Sequence, residues 1–423
     1  MFKKIPSLVI FEGILFALMV STTESYALYY FTKKGLSGDE LALISTCPLF
    51  LASVAQLFIP RFISNRRIGL GLLLAIVSQI FGIALLIYAH SQTSYYYPLF
   101  LGLIFYWIGG QITAPLWLDW LSSCLKSGTL SRFLGLRNSI VTFTIVLVFI
   151  AVSQVVKHDS HFKILFFIGL ISRLLGLLLQ AILLKQTKSK WKIQLSRDIS
   201  TSMLGHKSSE IFLKILFWSG PFRFACNLSS PFFLLYMLKE LKLSTSEYVL
   251  LSAIPFLGRS IFVHNWGKAT KGLRSFWGIQ IATLGIAALP ILWALGSNMI
   301  YLGFVQILSG ILWGGMELSQ LIMVQGIFPS EPRKQMGIFL ANNNLFSLGG
   351  ALTGAYLLKL GLTYKSLFIV SGLARFIIGV GLVVALKKYA SIKLSRWNSK
   401  TYLYSVLSLR PTLTNVGRIL FKN

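Results

Sequence analysis

Several ionisable side chains lie inside long apolar stretches of this sequence. Arg223 lies near the middle of one stretch, and Glu24 and Glu317 lie in two others. A charged group in the hydrocarbon of a bilayer costs on the order of a few kcal/mol, so it faces a polar cavity or a partner of opposite charge. An arginine in that setting can bind an anionic ligand, and a desolvated carboxylate can carry a proton. The alternative is structural, with either glutamate simply neutralising Arg223.

Uncharged polar and aromatic residues in the same stretches are further candidates for ligand contact or coupling. For the aromatic residues, packing or anchoring at the membrane interface is the alternative interpretation. Together with Arg223, Glu317 and Glu24, the predicted set consists of Gln111, Asn227, Gln320, Trp107 and Trp313.

The composition indicates a protein whose solvent is mainly lipid. Of 423 residues, 55% are hydrophobic and only 12% are charged, and the mean hydropathy is +0.72. In soluble proteins about a quarter of all residues are charged, so an integral membrane protein is predicted. The net charge of +28 would suggest nucleic-acid binding in a soluble chain. Here the basic residues cluster at the ends of apolar runs, which membrane topology explains better.

The sequence lacks the motifs of the common enzyme and metal-site classes. It contains no His-Glu-x-x-His, no phosphate-binding P-loop and no Cys-x-x-Cys. Its three cysteines have no metal-ligand spacing and imply no disulfide framework. We therefore predict a protein that is not an enzyme, with no catalytic residues, no metal and no cofactor, and driven by an ion gradient rather than by ATP. The cysteines are Cys47, Cys124 and Cys226.

Apolar runs long enough to cross a bilayer recur about twelve times, half of them on each side of a polar central segment. The predicted class is therefore an all-α polytopic membrane protein. In chain order, spans 1 to 12 are predicted at 6–31, 38–60, 68–90, 97–120, 133–156, 162–184, 211–236, 245–264, 275–297, 299–325, 337–358 and 365–386.

The two halves of the chain repeat each other. Each begins its second span with Ser-x-x-Glu, followed by a serine and a proline at fixed spacing. The pattern consists of Ser37, Glu40, Ser45 and Pro48 in the first half and Ser244, Glu247, Ser252 and Pro255 in the second. Ser-x-x-Glu before an apolar run predicts a capping box at the start of a helix. Matching positions about half a chain apart predict two homologous bundles.

The positions of the basic residues predict the topology. Most of the 40 lysines and arginines fall in the even-numbered loops and at the chain ends, so both termini are predicted to be cytoplasmic. The first span is expected to be retained, because no cleavage site follows it. The basic tail is either an interfacial helix on anionic lipid or a disordered segment. The predicted divisions are an N-terminal bundle at 1–184, a basic central loop at 185–210, a C-terminal bundle at 211–386 and the tail at 387–423.

Four short segments between the spans complete the pattern. They lie at 61–69 and 266–274, at the ends of spans 2 and 8, and at 116–138 and 329–337, near spans 4 and 10. With the two six-span halves, they resemble the major facilitator superfamily over essentially the whole chain. The family's loop aspartate is replaced here by Asn65 and, in the second copy, by Thr270. The resemblance implies alternating access around a central cavity lined chiefly by spans 1, 4, 7 and 10.

The same loops imply a gate at the cytoplasmic side. Asp119, at the inner end of span 4, is expected to pair with loop arginines rather than to bind substrate. The predicted gate comprises Asp119, Asn65, Arg66, Arg132, Arg137, Lys271 and Arg333.

The resemblance and the buried charges together predict a function. The first hypothesis is a monomeric secondary active transporter in a bacterial-type inner membrane. It would move a small polar metabolite that is anionic or zwitterionic, by proton-coupled symport or antiport. Its expected partners are the substrate and membrane lipids, and no nucleic acid is expected to bind. The alternative is a transporter-derived receptor or scaffold that binds its ligand without net flux. Fold alone does not name a substrate.

Overall fold

The computed structural model describes residues 4–63, 67–125, 130–155, 160–194, 208–270, 274–328, 332–390 and 399–407. Within these ranges every regular element is a helix, and no strand is present. In chain order the helices are α1 (Lys4–Met19), a π-helical turn (Val20–Glu24), α2 (Ser25–Lys33), α3 (Gly38–Phe62), α4 (Ile68–His90), α5 (Tyr96–Cys124), α6 (Leu130–Val155), α7 (Ser160–Gln194), α8 (Ser208–Asn227), α9 (Phe232–Leu235), a second π-helical turn (Tyr236–Glu240), α10 (Thr245–Ala269), α11 (Arg274–Leu295), α12 (Met299–Ile327), α13 (Pro332–Lys359), α14 (Tyr364–Ala390) and α15 (Ser399–Leu407).

Ten helical segments in these ranges are long and apolar enough to cross a membrane. The remaining two predicted spans, 7 and 11, are also helical. Span 7 is formed by α8, α9 and the second π-helical turn, and span 11 is formed by α13. They are more polar than the others because span 7 carries Arg223 and span 11 carries three consecutive asparagines at 342–344. The chain is an all-α polytopic membrane protein, as predicted.

Some helices extend beyond the predicted spans. α7 continues to Gln194, past the predicted bundle end at residue 184, and α14 continues to Ala390. The added segments are rich in lysine and glutamine, which favour helix and are soluble in water. A helix can therefore leave the membrane without ending at its surface.

The repeated Ser-x-x-Glu motifs form the predicted capping boxes. The Ser37 amide donates to Glu40 Oε2 at 2.8 Å, and the Glu40 amide donates to Ser37 Oγ at 3.2 Å. Ser244 and Glu247 make the same reciprocal pair, at 2.8 and 3.3 Å. The prolines that follow each box lie within the continuous helices α3 and α10.

The two halves contact each other along two symmetry-related helix pairs. α3 packs on α13, and α6 packs on α10. In the pairing of α13 with α3, Asn344 donates an amide hydrogen to Ser53 Oγ at 2.5 Å. These contacts bring span 2 of one half onto span 11 of the other, and span 5 onto span 8.

Aromatic residues close the predicted outer end of the interface between the two halves. The Tyr29 ring stacks on the Tyr248 ring with centroids 4.3 Å apart, and its hydroxyl donates to Thr245 Oγ1 at 2.8 Å. Asp39 and Lys359 form an ion pair between spans 2 and 11 at the same end. Other buried aromatic side chains of the first half belong to the same hydrophobic core as Tyr29 and Tyr248. They include Tyr26, Tyr30, Phe31, Phe149 and Phe162.

Span 7 is interrupted between α8 and α9, where a turn precedes Pro231. Arg375, buried in span 12, supports this break. Its guanidinium donates to the Cys226 carbonyl at 2.8 Å and to Ser229 Oγ at 2.9 Å. The Cys226 carbonyl also accepts the Ser230 amide at 3.3 Å. Arg375 therefore adds side-chain hydrogen bonds at the break in span 7 and does not replace a lost backbone donor.

Small residues allow spans 7 and 11 to approach closely, as the Gly-x-x-x-Gly pair predicts. A Cβ atom on Gly350 would lie 2.2 Å from the Phe224 carbonyl oxygen, and one on Gly354 would lie 2.1 Å from the Leu228 carbonyl oxygen. The neighbouring Gly349 has more room, since its Cβ would lie 3.6 Å from the Phe224 ring.

Replacing Gly350 by alanine is expected to destabilise the protein by about 1–3 kcal/mol, because backbone atoms cannot move aside as a flexible side chain can. Gly349→Ala adds the same methyl group next door and should leave the melting temperature nearly unchanged. Thermal unfolding in detergent would compare the two variants. Equal melting temperatures for both would contradict the close packing of spans 7 and 11.

Candidate functional site

A cavity of about 460 Å³ lies within the bundle, from its middle towards the predicted cytoplasmic end. Most of its wall comes from the first half of the chain. Span 10 contributes Leu321, Val324 and Gln325, and span 11 contributes Met336 and Leu340. The polar and charged residues of the wall are Glu12, Glu24, Gln56, Gln79, Tyr106, Gln111, Thr113, Asp119, Arg137, Asn138, Arg173 and Gln325.

Two arginines share one carboxylate in the wall of this cavity. Arg137 Nη2 lies 2.8 Å from Glu12 Oε2, and Arg173 Nη1 lies 3.8 Å from Glu12 Oε1. Glu12, Arg137 and Arg173 are 5%, 9% and 1% exposed. Spans 1, 5 and 6 each supply one member of the cluster. The cluster itself has two positive charges and one negative charge, and the same cavity wall also carries the carboxylates of Glu24 and Asp119.

Each arginine is held by further contacts. The Arg137 guanidinium lies over the Trp117 ring at 4.3 Å, and its Nε donates to the Val9 carbonyl at 3.4 Å. Arg173 donates to the Gln79 side-chain oxygen and lies 5.6 Å from the centre of the Phe16 ring. Stacking and hydrogen bonding of this kind fix the planar guanidinium groups in one orientation.

Glu24 lies in a different environment. The Tyr106 hydroxyl donates to Glu24 Oε2 at 2.7 Å. Among the described residues Glu24 forms no ion pair, although it lines the same cavity as the two arginines. It belongs to the π-helical turn in span 1, which widens the helix at this position. Glu24 is therefore a carboxylate that meets a neutral donor instead of a cation.

Several polar atoms of the cavity wall have no hydrogen-bond partner within the described part of the chain. They include both side-chain polar atoms of Gln56, Thr113 Oγ1, Trp117 Nε1 and Arg173 Nε. Buried polar groups are normally paired, but these atoms are themselves buried in this conformation. A ligand in the cavity would reach them only after a local rearrangement of the wall.

Arg223 lines a second, much smaller cavity of about 10 Å³. Its guanidinium lies 5.0 Å from the Trp313 ring centroid, and its Nη2 donates to Gln320 Oε1 at 3.4 Å. Asn227 donates to the Arg223 carbonyl at 3.0 Å and to Ser347 Oγ at 2.9 Å. The structure therefore brings four predicted site residues into contact, but only Arg223 and Gln320 line the small cavity, which holds about one water molecule.

Glu317 pairs with a residue that the sequence analysis did not consider. Its Oε2 lies 2.7 Å from Arg259 Nη2 of span 8, and the Glu317 side chain is 47% exposed. Neither residue lines the two cavities described above. The alternative in which Glu317 or Glu24 neutralises Arg223 therefore does not describe this arrangement, because each glutamate has another partner.

Three solved structures with a similar arrangement of helices are those of transporters. A POT family transporter in complex with 5-aminolevulinic acid gives a TM-score of 0.67 at 13% identity, over 91% of this chain and 96% of that chain. The xylose transporter XylE from E. coli, in a partially occluded inward open conformation, gives 0.64 at 14% identity, over 94% and 99%. The human organic anion transporter MFSD10 gives 0.62 at 12% identity, over 90% and 99%. The chain has the fold of the major facilitator superfamily.

The likeness is one of fold. No family model and no curated protein sequence matches the chain. Because the major facilitator fold serves many different substrates, the ligand of this protein must be inferred from its own residues.

The predicted cavity helices of the major facilitator fold contribute unequally here. Spans 1, 4 and 10 line the large cavity, with Gln111 and Trp107 of span 4 in its wall as predicted contacts. Span 7 lines only the small cavity, through Arg223 and its neighbours. Spans 5 and 6 take a larger part than the resemblance implied, since they supply the two arginines.

The predicted gate is described only in part. Asp119 lines the large cavity near the inner end of span 4. Arg137, predicted at the gate, instead lies in the cavity wall with Glu12, because it is two turns inside α6 and faces α1. Asn65, Arg66 and Lys271 lie outside the described residues, as do the side chains of Arg132 and Arg333.

Glu12 and Arg173 are not among the predicted site residues, yet both are buried at the cavity. One signal was available. A carboxylate in span 1 and arginines at the inner part of span 5 and the middle of span 6 are opposite charges that a membrane bundle tends to bring together.

Proposed function

We propose that this protein is a secondary active transporter that moves a small anionic or zwitterionic metabolite together with protons by alternating access. The carrying observation is the cluster in which Arg137 and Arg173 share Glu12 beside the large cavity. The fold, which it shares with transporters of diverse substrates, supports transport in general. The residues of the cavity support the choice of substrate charge.

The substrate's anionic group is proposed to bind Arg173 and Arg137. Both guanidinium groups border the cavity, and one carboxylate cannot neutralise both charges. Arg173 Nε lacks a partner within the described residues and is buried, so a small rotation of the guanidinium would bring it to a ligand without breaking a hydrogen bond of Nε. Guanidinium groups bind carboxylates and phosphates through parallel hydrogen bonds. The neutral groups of Gln56 and Thr113 would hold the polar remainder of the substrate.

Glu24 is proposed to carry the coupled proton. An anion bound in the same cavity repels the Glu24 carboxylate, so substrate binding favours the protonated form. By linkage, protonation of Glu24 favours substrate binding to the same degree. An anion and a proton would therefore bind together and be released together, which is symport. Tyr106 can hydrogen-bond Glu24 in either protonation state, since a hydroxyl both donates and accepts.

The present conformation corresponds to one half of the proposed cycle. Tyr29, Thr245 and Tyr248 join the halves at the predicted outer end, while the cavity extends towards the predicted cytoplasmic end. In the other state these contacts would separate and the inner ends of the spans would approach each other. The substrate site would then be accessible from the outside.

Uptake into liposomes tests the proposal. The purified protein is reconstituted, an inward proton gradient is imposed, and pools of labelled anionic, zwitterionic, neutral and cationic metabolites are offered in turn. We expect saturable, gradient-driven uptake of the anionic or zwitterionic pool, abolished by a protonophore. Uptake of only neutral or cationic compounds would overturn the substrate assignment. Ligand binding without flux by folded protein would overturn transport and favour a receptor.

A further inference from the structure

The short helix α15 packs on the second bundle, and the buried Tyr402 makes most of its described side-chain contacts. Tyr402 is 0% exposed. Its hydroxyl lies 2.6 Å from Thr270 Oγ1, at the position where the family's second loop copy has an acid in its pattern. Its ring contacts Trp266 and Trp277 at centroid distances of 6.0 and 6.1 Å. Burial raises the pKa of the Tyr402 phenol to about 12, so the hydroxyl remains protonated at neutral pH.

These contacts place α15 at the level of the membrane boundary. Gly278, in the second turn of α11, lies so close that a Cβ atom there would be 2.7 Å from the Tyr402 hydroxyl. Asn265, near the end of α10, donates to the Val406 carbonyl at 3.1 Å. Tryptophan and tyrosine are enriched where a bilayer meets water. α15 therefore lies beside the inner ends of spans 8 and 9 and not beyond them.

The opposite face of α15 is apolar and uncovered. Leu403, Tyr404 and Leu407 are 41%, 76% and 48% exposed, whereas Tyr402 and Val406 face the bundle. Leu403 and Leu407 are four residues apart and share one side of the helix. An amphipathic helix of this kind, at this level, has a lipid interface as its natural neighbour.

The positive charge of residues 387–423 complements an anionic lipid surface. From residue 387 to the end of the chain, the sequence contains no aspartate or glutamate. Basic residues near a membrane surface are attracted to anionic lipids. The basic residues of this segment are Lys387, Lys388, Lys393, Arg396, Lys400, Arg410, Arg418 and Lys422.

We propose that α15 is an interfacial helix that binds the anionic lipid surface of the predicted cytoplasmic leaflet. Leu403, Tyr404 and Leu407 enter the boundary between headgroups and acyl chains, and the positive charge of the surrounding sequence attracts the helix to anionic headgroups. Tyr402 and Val406 fasten the helix to spans 8 and 9. Lipid charge would thereby act directly on the inner ends of the spans that bear α15.

A probe on the uncovered face tests this inference. In a variant with the three cysteines replaced, Tyr404→Cys is labelled with bimane and reconstituted in phosphatidylcholine with or without phosphatidylglycerol. We expect brominated lipids to quench this probe at least about twofold more than a probe at Thr93→Cys, an exposed loop position at the predicted outer end. Equal quenching at the two positions would overturn the proposal. So would evidence that, in detergent, a second copy of the protein covers the probe at Tyr404→Cys.

The charge of the lipid is tested separately. Phosphatidylglycerol should increase lipid quenching at Tyr404→Cys, and replacing Lys393, Arg396 and Lys400 together by glutamine should remove the increase while leaving the melting temperature close to that of the parent. Quenching that is the same in both lipid mixtures would overturn the role of anionic headgroups. Neither experiment requires transport, so failure here is distinct from failure of the proposed function.

Discussion

Replacing Glu12 by glutamine is expected to destabilise the folded protein by about 3–5 kcal/mol, the range for breaking a buried ion pair by removing one partner. The substitution keeps the size of the side chain but leaves Arg137 and Arg173 as two buried cations without their carboxylate. Their mutual repulsion is then uncompensated. Thermal unfolding in detergent, with the yield of monodisperse protein, would measure the loss.

An exposed ion pair provides the matched control for Glu12. Glu210 and Lys214 lie one turn apart in α8, with side chains 58% and 46% exposed. Glu210→Gln should change stability by less than about 1 kcal/mol, as exposed pairs do. Adding Arg137→Gln to Glu12→Gln should restore part of the lost stability, because one unpaired cation is removed. If Glu12→Gln unfolds at the same temperature as Glu210→Gln, the shared-carboxylate cluster does not exist as described.

Replacing Glu24 by glutamine is expected to abolish proton-driven accumulation of substrate while exchange of substrate continues. Glutamine resembles the protonated carboxylate and can still hydrogen-bond the Tyr106 hydroxyl, but it cannot release a proton. Acidifying the outside should accelerate net uptake by the parent protein and leave the variant unaffected. Net uptake under a gradient and counterflow without one, measured in the same liposomes, separate the two processes.

Glu317→Gln distinguishes this assignment from the alternative drawn from the sequence. Glu317 pairs with Arg259 and lines neither cavity, so its replacement should leave the proton dependence of uptake intact. If uptake by the Glu317→Gln variant no longer depended on the proton gradient while uptake by the Glu24→Gln variant still did, the role proposed for Glu24 would be contradicted. That role would then belong to Glu317 in span 10.

Local sequence patterns predicted much of the fold. The capping boxes at Ser37 and Ser244 depend on four consecutive residues, and the Gly350 and Gly354 contact depends on one helix face. Such features are encoded within a turn or two of helix. The repetition of these patterns about half a chain apart also predicted the two bundles, since each half repeats the same local rules.

The composition of the site could not be predicted in the same way, because it depends on how each helix is rotated about its axis. Arg223 has the central depth expected of a ligand-binding residue, but it faces a space of about 10 Å³. Arg173 lies in span 6, which is not one of the predicted cavity spans, and it lines the cavity of about 460 Å³. Hydropathy gives the depth of a residue in the membrane, whereas its direction depends on the packing of neighbouring helices.

The central claim, that the large cavity is an aqueous site for anions, can be tested without knowing the substrate. Ala114 is exposed in the cavity wall, whereas Phe217 of span 7 is 69% exposed and lines neither cavity. Each is replaced by cysteine after the three native cysteines are removed, and each variant is treated in membranes with anionic and cationic methanethiosulfonates of similar size.

We expect Ala114→Cys to react from the predicted cytoplasmic side. The ratio of its reaction rate with the anionic reagent to its rate with the cationic reagent should exceed the same ratio for a free thiol in solution. Adding Arg173→Lys should leave this preference in place, and Phe217→Cys should remain unreactive in lipid. A clear preference of Ala114→Cys for the cationic reagent would contradict the anion site, and reaction only from the opposite side would contradict the direction in which the cavity extends.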